Sequence, residues 1–394
     1  MKQNTLATLL ALAALGASAQ FTTAWAQPAQ AAAQAPVQAG EVARHYAQLV
    51  HAGYVDSLAG VKALQDAINA LVAAPSEEAL AKARRAWLQA REYYGQTEAF
   101  RFYGGPIDDD DGPEGRINAW PLDESYVDYV EGKPKAGFIN QPKFVINKAN
   151  LAKANERGGE ENISTGWHAI EFLLWGQDLS EAGPGARSFE DYVPGKGANA
   201  ERRSRYLKVV TELLVDDLSA MVKAWAPGAK NYRAAFEKQG QEAVRKIIVG
   251  LGSLSRGELA GERLEVALNS QDQEDEHSCF SDNTHRDAVT NAKGIQNVWL
   301  GTYVRRDGST LQGPAVRDLV AAKDAALADK TTAQLAQSVQ LAELIPAPFD
   351  RAIVKGAPGR PAIEKTIASL VEQSKLLVAS ANAIGITKLT LVQP

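Results

Sequence analysis

Five histidines are spread over this 394-residue chain: His45, His51, His168, His277 and His285. Three of them stand among acids. His168 lies in the run Gly166-Trp167-His168-Ala169-Ile170-Glu171. Residues three apart share one face of a helix. The His168 imidazole and the Glu171 carboxylate therefore project together, as a nitrogen and an oxygen ligand must to share one cation. A histidine three residues from a glutamate is also how helical bundles build carboxylate metal sites. Trp167, Ile170, Leu173 and Leu174 would bury that face, and a buried ionisable group needs a partner or a metal. A core His–Glu pair bonded to itself meets the same need.

A second cluster comprises Asp272, Glu274, Asp275, Glu276, His277, Asp282, His285 and Asp287. Hard oxygen donors mixed with imidazoles suit iron, manganese or zinc better than copper(I); a solvated acidic loop is the alternative. Cys279 sits inside this stretch with no base placed beside it, so an inert thiol is expected. A third feature is Glu258, Glu262 and Glu265, spaced by four and three on one helix face. Shifting the chain by 94 residues (262 − 168) lays Glu262 on His168 and Glu265 on Glu171, and Gln271-Asp272 on Gln177-Asp178. Such a repeat would pair a His-x-x-Glu half-site with a Glu-x-x-Glu half-site. An exposed acidic stripe is the plainer reading. Asp108 to Asp111 followed by Gly112 lacks the acid that a calcium loop would need where Ile107 stands, and reads as a solvated turn.

The elements that must position these residues are helices. Leu58, Val61, Leu64, Ile68, Leu71 and Val72 recur at steps of three and four. So do Leu207, Val210, Leu214, Leu218, Met221 and Trp225, and Ile363, Ile367, Leu370, Leu377, Ala381 and Ile384 keep a near-heptad. Each set is an apolar stripe on an amphipathic helix. Pro75-Ser76-Glu77-Glu78 breaks one helix and caps the next. Only Ile386 to Val392 alternates like a strand. Three stretches interrupt the helices: Gly104 to Asn118, Gly183 to Ala198, and Pro227-Gly228. The expected fold is all-α, two helical-bundle domains of related topology packed together, residues 41–226 and 227–394.

Residues 1–26 read as a secretory signal peptide: Lys2, an apolar core from Leu6 to Leu15, and small residues at Ala24-Trp25-Ala26. No cysteine lies nearby to carry a lipid anchor. Gln27 to Gly40, of Ala, Gln and Pro, reads as a flexible linker. No later stretch reaches the roughly 18 apolar residues of a transmembrane helix, so a periplasmic mature chain is expected. Lys plus Arg number 42 against 47 Asp plus Glu, a net charge of −5. That balance disfavours nucleic-acid binding. One cysteine excludes an internal disulfide, thiolate zinc sites and paired-cysteine haem attachment.

At these residues the chain resembles the imelysin family, also called M75 peptidases, which includes iron-regulated periplasmic proteins. Gly166, His168 and Glu171 match its Gly-x-His-x-x-Glu signature. The continuation from Phe172 to Asp178 matches as well, with Trp87, Glu98-Ala99-Phe100-Arg101-Phe102, Trp120-Pro121-Leu122-Asp123, and the stretch from Gly261 to Asp282. The resemblance implies two related helical bundles with a shared pocket, export, and an association with iron acquisition. It implies a metal pair of His168 and Glu171, with Glu98, Glu262, Glu265 and His277 as additions. The ion would be divalent or ferric, iron first and zinc second, passed on to a periplasmic or membrane iron-transport component. The family name also implies a metallopeptidase. The helix, however, offers one histidine where zinc peptidases of the usual kind place two, at i and i+4 around a glutamate base. The residues therefore favour a binding protein over an enzyme. A peptide- or partner-binding module without metal is a third reading.

Overall fold

The computed structural model describes residues 36–180 and 183–393. The expected signal peptide, and the linker up to residue 35, lie outside them. Among the described residues the helices are α1 (Ala39–Ala73), α2 (Glu77–Thr97), α3 (Glu114–Asn118), α4 (Glu124–Val127), α5 (Lys148–Ala154), α6 (Gly166–Trp175), α7 (Ala200–Ala224), α8 (Tyr232–Phe236), α9 (Gln241–Ser253), α10 (Val266–Ser270), α11 (Thr284–Leu300), α12 (Val316–Ala321), α13 (Ala325–Ala342), α14 (Phe349–Ile353) and α15 (Arg360–Ala383). Helix α1 starts at Ala39, two residues inside the stretch expected to be linker.

Local chemistry explains many of these boundaries. Ser76 accepts a hydrogen bond from the Ala79 amide and opens α2, and Glu77 and Glu78 favour its first turn. Asn147 and Asp324 cap α5 and α13 in the same way. The three stripes read from periodicity face the core, with Leu58, Val72 and Ile384 half-buried at their edges. Leu207, Val210, Leu214, Leu218, Met221 and Trp225 are all in the core, as are Ile363, Ile367, Leu370, Leu377 and Ala381.

The long helices pack in two groups. Helices α1, α2, α6 and α7 contact one another in the first. In the second, α9 and the stretch that follows it pack on α15, and α13 packs on α11 and α15. Helix α2 lies along α11, and α1 touches α9, so the groups share a seam. One hydrophobic cluster runs from Val42 to Ile386 across it. The seam needs small residues: a Cβ on Gly95 of α2 would meet Thr290 Oγ1 of α11 at 2.0 Å.

Two features differ from expectation. Ile386 to Val392 forms no strand. A small hairpin does, β1 (Thr302–Val304) paired antiparallel with β2 (Thr310–Gln312). Strands of three residues are too short to impose a readable alternation. The second feature is the helical run from Gln241 to Ser270, whose centre, Leu254–Glu265, is π-helical. In a π-helix the repeat is i→i+5, and such turns gather at functional positions. Glu258 and Arg263, five apart, therefore meet on one side at 2.8 Å.

Candidate functional site

Gly166 starts α6 at φ +82°, in the left-handed region that favours glycine. A Cβ there would lie 2.5 Å from the Ile117 carbonyl oxygen. The glycine of the signature thus lets α6 begin hard against the preceding segment. All ten residues of α6 are buried, so the helix is enclosed all round and its His168–Glu171 face points into the protein.

His168 and Glu171 share that face, and they bond to each other, Nδ1 to Oε2 at 2.9 Å. The other oxygen of Glu171 accepts from the Ser281 amide at 3.0 Å and the Ser281 hydroxyl at 2.6 Å. Both carboxylate oxygens are therefore engaged, and Glu171 orients the imidazole. His168 Nε2 is buried and has no hydrogen-bond partner.

Against it lies His277, 4.7 Å away between ring centroids and inclined at 72°. His277 Nδ1 is 2.8 Å from Asp287 Oδ2. Asp287 also accepts from the Ser278 hydroxyl at 2.5 Å and from Arg91 at 2.8 Å. Asn118 accepts from Arg91 at 2.6 Å, and its amide nitrogen stands 3.4 Å from His277 Nε2. The Arg91 guanidinium is enclosed by the rings of Trp87, Tyr94 and Trp167 at 5.3 to 5.6 Å. Two carboxyl–imidazole pairs thus pack against each other ring edge to ring face, with the His168 Nε2 unpartnered and the His277 Nε2 within reach of the Asn118 amide. Outer carboxylates of this kind fix the tautomer and orientation of metal-binding histidines.

Electrostatics keeps both rings neutral. Burial, reinforced by Arg91, lowers the His168 pKa to about 3. Burial, reinforced by Arg263, does the same for His277. Burial raises Glu171 to about 8 in spite of its bonds to Ser281. Asp287 goes the other way: burial opposes its charge, but the Arg91 charge and the hydrogen bonds from His277 and Ser278 outweigh burial and hold it well below the usual carboxylate range.

A second polar cluster borders the first. Glu98 accepts from Arg101 at 2.8 Å and from Arg263 at 2.6 Å. Arg101 also reaches Glu114 at 3.0 Å, and Arg263 reaches Asn291 at 2.7 Å. Burial works against the Glu98 charge, but Arg101 and Arg263 pull its pKa down to about 2. One Glu98 oxygen is buried without a partner. Glu98 is thus committed to arginines.

The structure brings together three of the six residues singled out from sequence: His168, Glu171 and His277. Glu98 stands in the neighbouring arginine cluster. Glu262 is exposed, and the half-buried Glu265 pairs with Arg256 at 3.4 Å. Spacings of four and three share a face only on an α-helix, and this segment is π-helical. Among the described residues, no group of three or more His, Cys, Asp and Glu side chains is arranged to hold a metal ion. Sequence reasoning missed Arg91, Asn118 and Ser281. Ser281 lay within the acid-rich stretch; Arg91 and Asn118 carried no local signal. Cys279 is buried, and burial pushes its thiol pKa well above the ordinary value.

Ser281 also lines a surface cleft of about 590 Å³ with Asp282, Asn283, His285, Arg286, Leu88 and Pro348. The cleft comes within one residue of Glu171. No helix among the described residues is long and apolar enough to cross a membrane.

A family model described as imelysin, peptidase M75, matches residues 50–377. Iron-regulated protein A of Synechococcus elongatus is 25% identical over 314 residues, which cover 77% of this chain and 74% of that protein. A crystal structure of a putative iron-regulated protein A precursor from Parabacteroides distasonis superposes with a TM-score of 0.66 at 18% identity, covering 88% of this chain and 97% of its own. An imelysin-like protein from Psychrobacter arcticum gives a TM-score of 0.63 at 15% identity, covering 91% and 99%. At these identities the two crystal structures speak for the all-helical fold. The family match spans most of the sequence, and this chain belongs to the imelysin family.

Proposed function

We propose that this is an exported, metal-handling protein of iron acquisition, which holds its cargo ion between the imidazoles of His168 and His277. The observation that carries the reading is the buried, unpartnered Nε2 of His168, with a second imidazole packed against its ring and each ring braced on Nδ1 by a carboxyl group. Neutral imidazole is the ligand form, and burial keeps both rings neutral at pH 7. Nitrogen donors suit iron(II) and zinc. The protein offers two donors, so the remaining ligands would come from water or from an anion travelling with the metal. Arg91 and Arg263, the cations that disfavour protonation of the two rings, favour such an anion over a bare ion. Export is supported by the signal-like first 26 residues and by the word precursor in the name of the Parabacteroides relative. Iron is supported by the iron-regulated names of two relatives.

Calorimetric titration of the purified protein with iron(II) and with zinc tests this. One equivalent should bind, with affinity falling at least about tenfold in both His168→Ala and His277→Ala. Equal binding by wild type and both variants would refute it. Chelator-sensitive proteolysis lost in Glu171→Gln would favour a metallopeptidase instead.

A further inference from the structure

One short loop reaches both imidazoles. Residues 277–281 supply His277 itself and the two serines Ser278 and Ser281. The Ser278 hydroxyl donates to Asp287 Oδ2 at 2.5 Å, the oxygen that also holds His277 Nδ1 at 2.8 Å. The Ser281 amide and hydroxyl both donate to Glu171 Oε1, at 3.0 and 2.6 Å, which leaves Oε2 to His168 Nδ1 at 2.9 Å. Each imidazole is thus bonded to a carboxyl group, and each carboxyl group to a serine of the same loop. The loop is itself anchored. The Ser278 amide donates to Thr284 Oγ1 at 3.0 Å, and the Ser278 carbonyl accepts from the Asn283 amide at 3.1 Å. The Phe280 carbonyl accepts from the Gly185 amide at 3.0 Å, and the Phe280 ring packs on Phe172, the residue after Glu171, at 5.2 Å.

The torsion that turns a carboxyl group about its last carbon–carbon bond is broad. A carboxyl group bonded to its imidazole and to nothing else would swing. A second donor from a fixed loop removes that freedom. We propose that Ser278 and Ser281 are positioning residues, which lock the Asp287 and Glu171 carboxyl groups and through them the orientation of the His277 and His168 rings. For metal binding this makes the two serines the outer layer of the shell that aims the ligands, a consequence that rests on the reading of the imidazoles as ligands. Arg91 braces Asp287 as well. The hydrogen bonds of Glu171 go to His168 and Ser281 alone among the described residues, so Ser281 carries the sharper prediction.

Ser281 borders the surface cleft, where one more methyl group has room. Ser281→Thr therefore keeps the hydroxyl, and Ser281→Ala removes it. The purified protein, with isotope-labelled histidine, is followed by NMR without metal at a fixed pH, and His168→Gln and His277→Gln assign the two ring signals. Ser281→Ala should shift or broaden the His168 signals and leave those of His277 in place, and Ser281→Thr should restore the wild-type spectrum. Zinc affinity by calorimetry should fall about threefold or more in Ser281→Ala, less than the roughly 10- to 100-fold for a direct outer partner of a ligand, and recover in Ser281→Thr. His168 signals that ignore the loss of the hydroxyl would overturn the inference, whatever the zinc affinity does. Equal movement of both rings would mean a general loosening of the loop and overturn it too. If the wild type binds no zinc while the His168 signals still follow the hydroxyl, the positioning stands and the metal reading falls.

Discussion

At the scale of single residues, the site depends on carboxylates that do not themselves have to touch an ion. Glu171→Gln keeps the shape but weakens the acceptor that orients His168. It should lower zinc or iron(II) affinity about 10- to 100-fold, read by calorimetry, with circular dichroism unchanged. Arg91 and Asp287 form an ion pair at 2.8 Å with side chains 2% and 1% exposed. Arg91→Met leaves the Asp287 charge buried, and should cost about 3–5 kcal/mol in urea unfolding. Adding Asp287→Asn should recover part of that loss. Part of this was legible in the sequence. Helical spacing alone put His168 and Glu171 on one face. It could not tell a shared cation from a direct bond, because both satisfy the same buried charges. His277 was visible as a histidine among acids, but its contact with His168 spans more than a hundred residues. Arg91 and Asn118 have no motif, since their roles arise only where α2 and the end of α3 converge on α11 and the loop before it.

At the scale of elements, glycines decide how closely helices approach. Gly166→Ala would force a Cβ onto the Ile117 carbonyl at a positive φ. It should cost about 1–3 kcal/mol and weaken metal binding, because His168 is two residues further along. Gly95→Ala should cost about 1–3 kcal/mol by overpacking against Thr290. The double variant with Thr290→Ala removes the hydroxyl contact but keeps the Cβ, so it should regain part of it in the same melts, as expected of two groups in contact. Helix identity was readable in α1, α7 and α15, because stripes at steps of three and four require no tertiary information. The π-helical turns were not readable. They are imposed by packing, and they moved Glu258 into the arginine cluster while leaving Glu262 in solvent. The hairpin at Thr302–Val304 was too short to register.

At the scale of the whole molecule, buried carboxyls set the response to pH. Burial raises Glu171 to about 8, Glu114 to about 7 and Glu276 well above the ordinary range. Each binds its proton more tightly folded than unfolded. Their stabilisation is therefore fully present below the unfolded pKa and is lost as pH rises through the folded one. Glu98 and Asp287, held low by arginines, act oppositely: their stabilisation is lost as pH falls below the usual carboxylate range. Melting temperature should therefore peak near about pH 5 and decline toward about pH 8; a steady rise across that interval would contradict this balance. Glu276→Gln should flatten the decline. The metal proposal also belongs to this scale, because His168 comes from one helical group and His277 from the other, and a shared ion would staple the two. The most direct test is anomalous diffraction from crystals soaked in zinc or iron(II). The expected result is a peak about 2.0–2.2 Å from both His168 Nε2 and His277 Nε2. Clear side-chain density with no peak between those rings, and metal elsewhere, would contradict the account.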